Sequence, residues 1–216
     1  MADEKTIGLI LRTRLLTETS LIVQWLTPDL GRVATVAKGA RRNSSAFRGK
    51  LDLFYLAEFS FARSARSELH NLREVMLRDI HAPLREDFSK LHQVSYASGL
   101  IEQTTETETP VPEIYELMLG FVRHLVAHPS GASTLLALEL KMLDLLGQGP
   151  DLAETNLTPG ARQVGAHLLA NDWDAIARLK PSTAQAAELG QFLHGFLIFH
   201  LGKLPRGRAE ALHAGT

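Results

Sequence analysis

The residues with the clearest chemical signal are cations that cluster in one acid-free stretch. No Asp or Glu occurs between Asp29 and Asp52. The same stretch contains two lysines and four arginines, namely Arg32, Lys38, Arg41, Arg42, Arg48 and Lys50. Concentrated positive charge binds phosphates by releasing their counterions, so the affinity needs no base contact and falls as salt rises. The stretch therefore predicts a nucleic-acid backbone as its ligand, against the alternative of a loop kept soluble by its charges.

The predicted DNA contacts form a central and a flanking group. Lys38, Arg41 and Arg42 are the central group. The flanking residues, expected to widen the track, are Arg14, Arg32, Arg48 and Lys50. Candidate platforms for stacking unpaired bases are Phe47, Phe54 and Tyr55. For Phe54 we favour a place in the hydrophobic core, because large aromatic side chains are usually buried.

The elements that must position these residues follow from the hydrophobic pattern. Apolar residues tend to alternate, with β-branched and aromatic types enriched, in five segments: Thr6–Arg12, Leu21–Leu26, Arg32–Ala37, Phe54–Phe61 and Leu69–Leu77. A period of two between turn residues predicts five short strands. Five strands in so short a segment favour a small closed or nearly closed barrel, since closure removes exposed sheet edges.

A different pattern begins after Pro83, where apolar residues recur every three or four positions, as in amphipathic helices. Thr158 before Pro159 is typical of a helix start, and residues 147–150, a Gly-Gln-Gly-Pro string, are typical of a stop. We predict a two-domain α+β protein, with a five-stranded barrel over residues 1–80 and an all-helical bundle over residues 81–216.

The charge of the 216-residue chain is segregated in the same way. The formal net charge is −1. Residues 1–80 carry 13 Lys and Arg against 9 Asp and Glu, a net charge of +4, whereas the remaining residues carry 10 against 15, a net charge of −5. A near-neutral total thus conceals a basic half that suits nucleic acid and an acidic half that suits scaffolding or protein docking.

Several classes of protein are excluded or disfavoured. The chain has no cysteine, so disulfides, thiolate nucleophiles and Cys-ligated metals are excluded. No Walker loop, nucleophile elbow or dinucleotide-binding turn occurs, so we expect neither an enzyme nor a cofactor. His124 and His128 share one helix face but lack the intervening Glu of a zinc peptidase, and no metal is expected. Without a leader-like start or a long apolar run, we expect a cytoplasmic, nucleoid-associated protein without membrane contact.

Several short strings, taken in order, resemble those of a known family. They are Gly8–Arg12, Glu18–Ser20, Thr27–Arg32, Ala37–Arg42, Gly49–Phe54 and Phe199–Gly202. Together they are similar to the signature of the RecO family of DNA repair and recombination-mediator proteins. The resemblance implies an N-terminal OB-fold and a C-terminal helical domain, in agreement with the barrel and bundle predicted above.

The resemblance also implies a function and a set of partners. It implies binding to single- and double-stranded DNA, annealing of single strands, and help in loading RecA onto strands coated by single-strand-binding protein, together with RecR. Many family members insert a zinc-binding segment with paired cysteines where this sequence passes from Leu152 almost directly to Leu157. We therefore expect that segment to be missing.

Candidate contacts for partner proteins are weaker. The resemblance implies that the acidic C-terminal tail of single-strand-binding protein docks on the helical half, where an apolar groove beside a cation is the expected site. Candidate cations are Arg123, Lys203, Arg206 and Arg208. Two alternatives stay open, namely a protein–protein adaptor without nucleic-acid activity and an RNA-binding barrel.

Overall fold

The computed structural model describes residues 3–213. The chain divides into two compact units. The first comprises Met1–His81 together with Thr105–Glu116, and the second comprises Ala82–Thr104 together with Leu117–Thr216. The first unit therefore includes a segment from well beyond residue 80, and this segment becomes important at the candidate site.

The first unit is built on a closed barrel of five strands among the described residues. The strands are β1 (Glu4–Leu15), β2 (Leu21–Thr27), β3 (Gly31–Ala37), β4 (Leu56–Ala62) and β5 (Leu69–Asp79). They follow the order β1-β2-β3-β5-β4, with β4 closing on β1, and all pairs are antiparallel except β3 with β5. The predicted five-stranded OB-fold barrel is confirmed, and each observed strand covers most of its predicted segment.

The barrel closes around a small aromatic core. Trp25 and Phe59 stack with their ring centroids 4.0 Å apart, and the Trp25 indole N–H donates to Thr35 Oγ1 at 2.9 Å. Gly8 leaves room for this pair, because a Cβ there would lie 3.0 Å from the Phe59 ring. Buried and half-buried residues alternate along the first part of β3 and the last part of β4, as in strands that cover a core with one face, whereas the end of β3 and the start of β4 are buried throughout.

The second unit is helical. Its helices are α1 (Phe88–Thr104), α2 (Pro112–Ala127), α3 (Ala132–Leu145), α4 (Pro159–Ala170), α5 (Trp173–Arg178), α6 (Thr183–Leu201) and α7 (Arg208–Leu212). The first residues of α2 belong to the first unit. Thr158 and Asp172 accept N-terminal backbone N–H groups of α4 and α5, and Ser182 forms a capping box with Gln185 on α6. In the described part of the chain, no helix has the length and apolarity needed to span a membrane.

A buried ion pair fixes the last described helix. The Arg208 guanidinium donates to both Glu139 carboxylate oxygens at 2.7 Å, and the Tyr96 hydroxyl donates to the same carboxylate at 2.7 Å. Burial and the neighbouring Glu139 charge raise the pKa of Tyr96 far above its usual range. Burial alone would lower the pKa of Arg208, but the bonds and charge of Glu139 outweigh it and the pKa is raised. Arg208 therefore stays charged, and its bonds to Glu139 hold α7 to α3.

Candidate nucleic-acid interface

The acid-free stretch forms an ordered connection between two strands of the barrel. We call residues 38–55, which join β3 to β4, the basic connection. Successive turns shape it, with backbone bonds from Arg42 N to Gly39 O and from Ser45 N to Arg42 O, both at 3.0 Å. Its exposed cations are Lys38, Arg41, Arg42 and Arg48, and Lys50 is half-buried. The connection thus presents most of the predicted phosphate contacts to solvent.

The loop between β1 and β2 is joined to the basic connection by hydrogen bonds. We call residues 15–20 the hairpin tip. The Arg41 backbone N–H donates to Thr19 O at 3.0 Å, and its guanidinium donates to Glu18 O at 2.9 Å. The Gly39 N–H donates to the Ser20 hydroxyl at 3.3 Å. These bonds make one continuous surface of the hairpin tip and the basic connection.

A cleft lies at this junction. Its lining combines the Lys38 and Arg42 side chains with hydroxyl groups of the hairpin tip and two apolar residues: Leu16, Thr17, Thr19, Ser20, Val36, Lys38, Gly39 and Arg42. Exposed Arg14, near the end of β1, belongs to the same hairpin. The structure therefore groups Arg14, Lys38, Arg41 and Arg42 around the hairpin tip. In OB-folds this loop is a common oligonucleotide contact.

Arg32 is placed differently from the other predicted contacts. Its Nε donates to Thr105 Oγ1 at 2.8 Å and its Nη2 donates to Thr105 O at 2.6 Å. Thr105 belongs to residues 105–109, which we call the strap, a segment that packs on the barrel within the first unit. The Glu108 N–H returns a bond to Arg32 O at 2.8 Å. Because its guanidinium is hydrogen-bonded to the strap, we assign Arg32 a role in the stability of the barrel and do not include it among the DNA contacts proposed below.

A second group of charges anchors the other end of the strap. Glu108 accepts from Arg63 at 2.6 Å and from buried His70 at 2.5 Å. His70 Nδ1 accepts from the Ser64 N–H, so the ring proton sits on Nε2 and points to Glu108. Arg63 also bonds Glu4, and these bonds raise the pKa of Arg63 and lower that of Glu4. The sequence gives no sign of this network, because its partners come from three distant segments.

The candidate stacking aromatics do not form exposed platforms. Phe54 is buried, as favoured above. Phe47 and Tyr55 are half-buried and pack against the barrel core. The exposed apolar groups at this surface are instead Leu15 and Leu16 of the hairpin tip, which sequence reasoning missed because a Leu-Leu pair at a strand end also suits a core.

Comparison with family models agrees with this architecture. The model described as Recombination protein O N terminal matches residues 1–81, and the model described as Recombination protein O C terminal matches residues 85–156. Together the two models cover well over half of the chain. The chain belongs to the RecO family. The resemblance inferred from the short strings is thereby confirmed.

Individual members of the RecO family align along most of the chain. A DNA repair protein RecO from Roseiflexus sp. is 30% identical in an alignment of 218 positions, which covers 95% of this chain and 76% of the relative. The RecO of Rhodopirellula baltica is 29% identical over 80% of this chain and 72% of its own. The RecO of Bacillus pumilus is 27% identical over 93% of this chain and 80% of its own. These relatives bear the name of DNA repair proteins.

The position where many family members carry the zinc-binding segment is a short connection in this chain. Between α3 and α4 the chain makes a 3-10 turn over Leu152–Glu154 and enters α4 at Pro159. The match to the C-terminal RecO model ends at residue 156, inside this connection. Among residues 3–213 no group of three or more metal-ligating side chains is positioned to hold a metal ion.

Three of the predicted partner contacts of the helical unit, Arg123, Lys203 and Arg206, are exposed, but they do not form one site. Arg123 lines a cavity that also contains Asp172 and Asp174, whose carboxylates disfavour an acidic peptide. Lys203 and Arg206 lie in the segment between α6 and α7. Arg208, the remaining candidate, is committed to Glu139. A larger groove runs between α6, α7 and the start of α3, and the lining described for it contains no acidic residue.

The two histidines of α2 have unequal environments. His124, in the last turn of α2, is buried, and its Nε2 lies 3.2 Å from Thr134 Oγ1. Burial, and then the charge of His128, lower the pKa of His124 to about 4. The ring centroids of the two histidines are 4.8 Å apart. His124 is therefore neutral near pH 7 and acts as a polar core residue.

Proposed function

We propose that this RecO-family chain binds single- and double-stranded DNA through the hairpin tip and the basic connection, anneals single strands, and, with RecR, helps load RecA onto strands coated by single-strand-binding protein. The observation that carries the proposal is the exposed group of cations around one cleft of an OB-fold barrel. Family membership supports a role in DNA repair. We place the protein at the nucleoid, where this DNA lies.

The proposed mechanism is electrostatic. Lys38, Arg41 and Arg42 contact the phosphates at the centre of the track, and Arg14, Arg48 and Lys50 extend it. Each neutralised phosphate releases counterions, which supplies affinity without reading the sequence. Two complementary strands held on such a surface repel each other less than they do in water, so their pairing is favoured. No covalent chemistry is required, in keeping with a mediator and not an enzyme.

The second part of the proposal concerns proteins. We assign the acidic, apolar tail of single-strand-binding protein to the groove of the helical unit, whose described lining is largely small and apolar, with Ala186, Ala187 and Leu212 among its residues. An apolar peptide segment buries its side chains in such a groove. The acidic cavity beside Arg123 is the weaker candidate because its carboxylates repel the tail.

Charge reversal tests the DNA site. We expect Lys38→Glu with Arg42→Glu to weaken binding of a labelled single strand by about 100-fold at low salt, because two attractions become repulsions. The slope of log affinity against log salt should become shallower by about 1.4, since two phosphate contacts are lost. Fluorescence anisotropy across a salt series measures both quantities.

The matched control reverses two exposed cations of the helical unit, Arg178→Glu with Lys180→Glu. It changes the net charge by the same amount, and we expect it to leave affinity and slope unaltered. If the Lys38 and Arg42 variant also bound DNA like the unaltered protein, the assignment of the site would be wrong. If the unaltered protein bound no DNA, the adaptor alternative would be favoured. Competition between DNA and RNA oligomers decides the RNA-binding alternative.

A further inference from the structure

We infer that Leu15 and Leu16 of the hairpin tip contact the unpaired bases of a bound strand, while Arg14, Lys38 and Arg42 around them contact its phosphates. The inference rests on the proposed function and deepens it, because it names the part of the DNA that each side chain meets. It makes the surface selective for single strands, whose bases are accessible, over duplexes.

The first observation is the exposure of the leucines. Leu15, the last residue of β1, is 65% exposed and Leu16, the next residue, is 46% exposed, although Leu9 and Leu11 earlier in β1 are buried. Exposed apolar patches that are rimmed by polar residues mark interaction sites, and this pair is flanked by Arg14 and Thr17.

The second observation is that the tip is held in shape. Leu16 N donates to Ser20 O at 3.0 Å, and the Ser20 N–H donates to the Thr17 hydroxyl at 3.1 Å. The bonds from Arg41 and Gly39 to the tip tie it to the basic connection. The backbone that carries the leucines therefore has a defined position relative to the basic connection and needs no folding on binding, which spares the conformational entropy of an ordering loop.

The third observation is the chemistry of the cleft. Leu16 and Val36 share its lining with two cationic residues, Lys38 and Arg42, and with three hydroxyl-bearing residues, Thr17, Thr19 and Ser20. A nucleotide presents the matching pattern of an apolar base face, polar base edges and an anionic phosphate. The nearby acid, Glu18, is exposed on the tip, and the cations outnumber it. This charge balance favours an anionic ligand, and a DNA strand is the anionic ligand of the proposed function.

The test compares two ligands that carry the same phosphates. One is an oligo(dT) of about 15 nucleotides and the other is an abasic strand of equal length. We expect Leu15→Ser with Leu16→Ser to weaken binding of oligo(dT) by about tenfold, since contact between the leucines and the bases is lost. Binding of the abasic strand and the salt slope on either strand should stay unchanged, because every phosphate contact remains.

The matched control is Met76→Ser with Ile80→Ser, which removes two other exposed apolar side chains, 48% and 43% exposed, from the same unit. We expect it to bind both strands like the unaltered protein. Circular dichroism and thermal unfolding check that both double variants keep the fold. A third ligand, a duplex of the same length, should show no loss with the leucine variant.

The outcomes separate the inference from the proposed function. Suppose that the unaltered protein and the Lys38 and Arg42 variant behave as predicted. If the leucine variant then binds oligo(dT) normally, or loses equal affinity for oligo(dT) and the abasic strand, the inference is overturned and the DNA site stands. If the unaltered protein binds neither strand, both are overturned. Loss confined to the strand that has bases supports the inference.

Discussion

At the scale of single residues, identical side chains serve different purposes in this barrel. Arg32 and Arg42 lie in the same acid-free stretch, yet Arg32 is half-buried and bonded to Thr105 whereas Arg42 is exposed in the cleft. The partner of Arg32 lies 73 residues away in sequence. Residue type and spacing therefore predicted a cluster of cations, but they could not separate an arginine bonded within the fold from exposed ones.

Arg32→Lys tests this distinction. Lysine keeps the positive charge but cannot form the two fixed guanidinium bonds to Thr105, so we expect the free energy of unfolding to fall by about 1–3 kcal/mol. The salt slope of DNA binding should not change. Chemical denaturation and fluorescence anisotropy on the same variant measure the two effects.

Arg42→Lys is the control, and it should leave the free energy of unfolding unaltered because no fixed pair of bonds is lost. If Arg32→Lys kept the stability of the unaltered protein and gave a shallower salt slope, Arg32 would instead be one of the DNA contacts.

At the scale of elements, predictability followed the strength of the local signal. The strands and helices α4 to α6 were predictable because the spacing of apolar residues and helix caps such as Ser182 depend on only a few consecutive residues. Helix α7 was not predicted, since its five residues have no period of their own and Arg208 finds Glu139 from 69 positions away. The strap was missed for the same reason, because Glu108 and His70 meet only in the folded unit.

The ion pair of α7 gives the prediction at this scale. Glu139→Gln leaves the Arg208 charge buried without its counterion, so we expect a loss of about 3–5 kcal/mol in the free energy of unfolding. The double variant Glu139→Leu with Arg208→Met removes both charges and should cost less than the single change. Urea denaturation measures both variants.

DNA affinity of the Glu139→Gln variant serves as the internal control and should be unchanged under native conditions, because the proposed DNA contacts lie in the other unit. If the single and double variants lost equal stability, the pair would contribute by packing alone and α7 would not depend on its charge.

At the scale of the whole molecule, the net charge of −1 is the sum of a basic segment that carries the proposed DNA site and an acidic segment that carries the proposed protein groove. Strong basicity of the whole chain is therefore unnecessary for DNA binding, since a local field suffices. The sequence revealed this division because it follows the order of the chain. It could not locate the groove, whose lining comes from α3, α6 and α7 together.

This division predicts that the two activities can be lost separately. Ala187→Glu places a carboxylate on an exposed position of the groove, so we expect it to weaken binding of a labelled acidic tail peptide of single-strand-binding protein at least about tenfold, while its DNA affinity stays normal. Lys38→Glu with Arg42→Glu should show the reverse pattern. Anisotropy with each ligand, and pull-down of purified single-strand-binding protein without DNA, measure both.

Both variants make the protein more negative, because Ala187→Glu adds one negative charge and Lys38→Glu with Arg42→Glu reverses two positive charges. If both variants lost peptide binding, the loss would be a general effect of charge and the assignment of the peptide to the groove would be refuted. Equal loss of both ligands in Ala187→Glu would show that the two functions share a surface.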